Sequence, residues 1–173
     1  MLVAMIIHAF IISMIIFLLY LLASKLLKKN INKKKILIDY AFIWYLCTLL
    51  EVTGVIGVFR MTQFKWEWFR NSLELLTIAL PRNTGEFIML LCNCMLFIPL
   101  GFLLPVVFRK MNGVKVFIIS LMLVVAIELL QAAGGRMLEV NDIVMNIMGS
   151  LIGYLIYTTM MIAIRKRRKD NNS

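Results

Sequence analysis

Acidic side chains are scarce in this sequence, nine Asp and Glu against nineteen Lys and Arg, and there is one histidine. That histidine, His8, is remote in sequence from the other polar residues. No serine–histidine pairing, metal-ligand cluster or phosphate-binding loop is evident, so the common hydrolase, metalloenzyme and nucleotide-binding signatures are missing. No metal and no cofactor are expected. Cysteine is nearly absent too. Cys47, Cys92 and Cys94 are odd in number, and the last two are separated by one residue rather than two, which excludes the usual redox and zinc spacings. All three fall in apolar stretches and read as small buried hydrophobes. No internal repeat or low-complexity tract occurs. Charged residues of both signs make up only 16%, whereas a soluble domain carries about a quarter.

What fills the space is hydrocarbon. The 173 residues are 62% hydrophobic, with a mean hydropathy of +0.91. Apolar runs long enough to cross about 30 Å of lipid recur along the chain, the pattern of a polytopic membrane protein. We expect one membrane domain over 1–173. The net charge of +10 does not point to nucleic acid, because the basic residues are clustered between apolar runs. Lys25, Lys28, Lys29, Lys33, Lys34 and Lys35 fill one gap, Arg109, Lys110 and Lys115 a second, and Arg165 to Lys169 lead the terminal stretch. Such clusters mark cytoplasmic ends by the positive-inside rule and attract anionic lipid. Membrane lipid is therefore an expected partner; nucleic acid is not.

An all-α helix bundle with five membrane crossings follows. The spans run from about Leu2 to Ala23, Ile36 to Phe59, Phe87 to Phe108, Val116 to Ala133 and Ile143 to Ile164. The first lacks a basic n-region and a cleavage site, so it reads as a retained helix rather than a signal peptide. Placing all three basic clusters inside puts the N-terminus outside and the C-terminus in the cytoplasm. The tail 165–173 is then a basic cytoplasmic tail, and its KRRKDNNS reads as frayed. Between the second and third spans, Trp66, Trp68 and Phe69 among mixed charges suit a helix lying in the outer interface. His8 is assigned no role. Glu51, deep in the second span, must face protein or take up a proton.

Polar groups concentrate late in the chain. Asn93, Glu128, Gln131, Arg136, Asp142 and Asn146 fall at similar depths near the outer surface, on the third to fifth spans and the turn between the last two. They are expected to share one outward-facing polar pocket. Asp142, Asn146, Gly149 and Gly153 step by four, three and four residues, which sets them on one helical stripe. Its polar half lies outward. Gly149 and Gly153 are expected to allow close helix packing. Asn93, Phe97 and Gly101 share a face of the third span. Pro99 there frees the carbonyl of Met95, making either a packing kink or a cavity wall.

Asn93, Phe97, Pro99 and Gly101, then Glu128 and Gln131, then Arg136, Asp142, Asn146, Gly149 and Gly153, together resemble the VanZ-like membrane proteins. The resemblance covers a core of about 86–157, in order and with matching gaps. Asn141 stands where the family is frequently acidic. What the resemblance implies is an envelope protein associated with low-level resistance to teicoplanin, a lipid-tailed glycopeptide. One reading is thus a non-catalytic protein that limits access of a lipid-tailed amphiphile. Another is a membrane enzyme acting on a lipid-linked headgroup or cell-wall precursor, with Glu128 and Asp142 as acid and base and Arg136 holding a phosphate. A transporter, or a polar clamp that only fixes helix packing, is the third. Neither ligand nor oligomeric state follows from the sequence.

Overall fold

Asparagine opens three of the helices seen in the computed structural model, which describes residues 2–27, 32–56, 81, 83–108, 110–134, 136 and 138–172. The described residues form α1 (Leu2–Leu26), α2 (Lys33–Val52), α3 (Thr84–Val107), α4 (Gly113–Ala133) and α5 (Val140–Asp170). At the start of α2, Asn32 Oδ1 accepts from the Lys34 N–H at 3.1 Å. Asn83 does the same for Glu86 at 2.9 Å ahead of α3, and its Nδ2 donates back to Glu86 Oε1 at 3.2 Å. Asn112 Oδ1 accepts from the Lys115 N–H at 2.9 Å ahead of α4. Each asparagine satisfies a backbone donor that the first helical turn leaves without a partner.

Four of these helices, α1, α3, α4 and α5, are long and apolar enough to cross a membrane. The fifth, α2, has the length: twenty residues rise about 30 Å. It is less apolar because it carries Lys33, Lys34, Lys35, Asp39 and Glu51. The expected outer helix around Trp66, Trp68 and Phe69 lies outside the described residues.

One expectation is corrected. The KRRKDNNS stretch does not fray from its start, since α5 continues as helix to Asp170. Arg167, Arg168 and Lys169 occupy its last turn, where cations interact favourably with the negative end of the helix dipole. At 31 residues the helix is about 46 Å long, well beyond the hydrocarbon thickness, so its basic end extends past the apolar part.

The chain divides into two compact units, one of Met1–Leu76 with Ile127–Leu138 and the other of Thr77–Ala126 with Glu139–Ser173. In the first, α1 and α2 form an antiparallel hairpin. Phe17 lies 4.8 Å from Tyr40, centroid to centroid, and Phe10 meets Trp44 edge-on at 6.2 Å. Pairing therefore moves backwards along α1 as it moves forwards along α2. In the second unit, α3 and α5 run parallel. Cys94 meets Gly149 and Ile98 meets Gly153, while Phe102 meets Tyr157 at 6.0 Å. The contacts advance together along both helices.

Candidate functional site

Glycine sets how closely α3 and α5 approach. A Cβ built on Gly149 would overlap the Cys94 carbonyl, and one on Gly153 would overlap the Ile98 carbonyl. From the opposite side, a Cβ on Gly101 would overlap the backbone of Ser150. These are backbone obstacles rather than flexible side-chain tips, so neither helix can yield locally. Small residues permitting backbone contact are the main means of packing helices in lipid, where no hydrophobic force separates helix from tail. Ser150 is fully buried in this seam, with its hydroxyl 3.4 Å from the Phe97 carbonyl oxygen. Pro99 and Pro105 both lie inside α3 without ending it.

At the end of the pair formed by the start of α5, the contact turns polar. Asn93 Nδ2 donates to Asp142 Oδ1 at 2.8 Å across the two helices. One turn further along α5, Asn146 is 4% exposed, and its Oδ1 has no hydrogen-bond partner among the described residues. A buried acceptor left without a donor costs about 1–3 kcal/mol. Asp142 has no ion-pair partner among the described residues either. The group is thus acidic and rich in acceptors, with Asn146 buried and Asn93 and Asp142 half-buried.

The other three residues of the expected pocket belong to the first unit. Gln131 is buried and donates from Nε2 to the Thr53 carbonyl at 2.7 Å. Thr53 is the residue that closes α2, followed by Gly54 at φ +79°. Helix ends leave carbonyls unsatisfied, so Gln131 serves as a cap supplied from α4. Glu128, one turn before it, is buried at 3% exposure. Arg136 is exposed.

The hairpin holds polar contacts that the sequence reading did not assign. Asp39 is buried; it accepts from the Tyr20 hydroxyl at 2.6 Å and from Lys35 Nζ at 2.8 Å. His8 Nδ1 lies 3.3 Å from Glu51 Oε1, and Glu51 is buried at 8% exposure. The i,i+4 spacing of Lys35 and Asp39 was a usable signal. The partners on α1 were not, because they come from 19 and 43 residues away. No group of three or more His, Cys, Asp or Glu able to hold a metal ion occurs among the described residues.

The family model VanZ/LLP1 matches residues 5–162. The chain belongs to the VanZ/LLP1 family. The match spans both units and takes in the hairpin as well as the 86–157 core. Neither the curated proteins nor the solved structures contain a match to this chain.

Proposed function

We propose that this VanZ/LLP1-family protein crosses the cell membrane five times, N-terminus outside, and acts without catalysis to limit how a lipid-tailed glycopeptide engages the envelope. The antiparallel α1–α2 hairpin supports counting α2 as a crossing. Asp39 and Glu51 turn towards partners on α1, so the charges that lower its hydropathy need not meet lipid. The basic clusters then orient all five spans, with the start of α5 and Asn93 on the outer side. Labelling from outside should modify a cysteine placed at Gly135 and spare one at Asn30; the reverse pattern overturns the orientation.

The observation that carries the functional reading is the acidic, acceptor-rich group of Asn93, Asp142 and Asn146 at one end of an otherwise apolar helix pair. An amphiphile with its tail in lipid presents its polar head at that level. Expression in a susceptible Gram-positive host should raise tolerance to teicoplanin more than to vancomycin, which has no lipid tail. Asp142→Asn, Glu128→Gln and Arg136→Ala should each abolish the rise while protein level stays near normal. Equal protection against both drugs would point instead to altered wall precursors, and no protection would remove the resistance role.

A further inference from the structure

We propose that Asn93, Asp142 and Asn146 form a binding site for a primary ammonium group. Three features of the second unit converge on it. Asn93 spends an N–H on Asp142 Oδ1, which fixes its amide and leaves its own Oδ1 as an acceptor. Asp142 keeps its second carboxylate oxygen and its charge, with no basic partner among the described residues. Asn146 brings a buried Oδ1 with no donor among the described residues.

Direction joins them. In an α-helix each Cα–Cβ bond leans towards the N-terminus, and residues four apart stack on one face. Asn146 therefore leans back over the turn that carries Asp142, and Asp142 is held against Asn93. Three oxygen acceptors, Asn93 Oδ1, the second Asp142 oxygen and Asn146 Oδ1, thus belong to this end of the α3–α5 pair, with one carboxylate among them. The partial positive charge of the α5 N-terminus, about half a unit, reduces that charge without cancelling it. An alkylammonium offers three N–H donors in a tripod and one positive charge, which matches both counts. A sodium ion would want more oxygens than three. A quaternary ammonium has the charge and no N–H. An anion meets a carboxylate.

Asn93 and Asp142 are half-buried, so the site opens on one side, and its ligand is the amine of a membrane lipid headgroup or of a soluble amphiphile. The site depends on the proposed function only for the side from which it is reached.

Full-length protein in detergent should be offered equal amounts of phosphatidylethanolamine and phosphatidylcholine, with retained lipid counted by native mass spectrometry. Thermal stability should be followed in parallel in ethylammonium chloride against sodium chloride. Wild-type protein should retain the primary amine about tenfold over the quaternary one, the factor expected from a charge-assisted hydrogen bond. Asp142→Asn, which preserves an acceptor for Asn93, should erase the preference, and Asn146→Val should reduce it. Stabilisation by ethylammonium that is lost in Asp142→Asn, without lipid preference, would assign a soluble amine to the same site. The proposal is overturned if neither amine distinguishes wild type from Asp142→Asn, or if sodium chloride stabilises as well as ethylammonium. Neither arm involves antibiotic or living cells. Binding without drug tolerance would therefore sink the resistance role and leave the ammonium site intact.

Discussion

The two helix pairs of this protein solve the same problem with different materials. Between α1 and α2 the contact is made by side chains: rings at Phe10, Phe17, Tyr40 and Trp44, a bridge from Tyr20 and Lys35 to Asp39, and the His8–Glu51 contact. Between α3 and α5 it is made largely by backbone, through Gly101, Gly149 and Gly153. Rings fill a wide gap and tolerate adjustment, whereas glycine removes the gap. The first pair should therefore bend under substitution and the second should break.

Polar groups divide along the same line. In the hairpin each buried carboxylate has its partner on the facing helix, Tyr20 for Asp39 and His8 for Glu51. In the α3–α5 pair, Asp142 is met by a single amide donor, and the Asn146 acceptor is met by none among the described residues. A buried carboxylate met by a donor is consistent with holding structure, and a spare buried acceptor such as Asn146 Oδ1 calls for an explanation of its own.

The largest effect expected from breaking this contrast is at Gly149. Gly149→Leu must drive the helices apart against the Cys94 backbone, costing at least about 3 kcal/mol, and should abolish folded yield in detergent. Met148→Leu, on the exposed neighbouring face, is close to volume-conserving and should cost less than about 1.5 kcal/mol. Similar melting for both variants would mean that the α3–α5 seam is not close-packed.

How much of this was legible beforehand depends on the range of the interaction. The four-three-four spacing of Asp142, Asn146, Gly149 and Gly153 is a local property, and the structure sets that whole stripe against α3. Helix starts are legible in the asparagines, whereas the apolar runs begin about three residues inside them, at Ile36, Phe87 and Val116. Asp39 went unnoticed, since beside Lys33–Lys35 it looks like part of a solvated boundary. His8 gained meaning only from Glu51, 43 residues on. In the tail, Arg167, Arg168 and Lys169 stand in the last turn of α5, against the negative end of the helix dipole, which no apolar periodicity marks. The expected grouping of Gln131 with Asn93 and Asp142 rests on depth and spacing; the bond from Gln131 to the end of α2 joins residues 78 apart and has no local signal in the sequence.

A smaller effect sharpens the hairpin's side of the comparison. Tyr20→Phe removes the hydroxyl that reaches Asp39 at 2.6 Å but leaves the ring on Phe17 and leaves Lys35 on the carboxylate. Interhelical hydrogen bonds in membranes are worth about 0.6 kcal/mol on average, and about 1.7 at most. The loss should fall in that range, read as a small shift of the unfolding midpoint in a titrated detergent series. Asp39→Leu should cost more, because it removes the partner of both the Tyr20 hydroxyl and Lys35, and leaves the half-buried hydroxyl without its acceptor.

The smallest effect belongs to Ser150, although it is fully buried at the tightest point of the molecule. Its hydroxyl stands 3.4 Å from the Phe97 carbonyl, beyond the usual O–H···O distance. That carbonyl lies within α3, where the Gly101 N–H serves it through the helix ladder. Ser150→Ala therefore strands no acceptor, keeps the Cβ and removes one weakly placed oxygen. The change should stay within about 0.5 kcal/mol, as for substitutions that touch no such feature. If Ser150→Ala instead destabilises as much as Tyr20→Phe, the α3–α5 pair also relies on side-chain hydrogen bonding, and the division between a side-chain seam and a backbone seam fails.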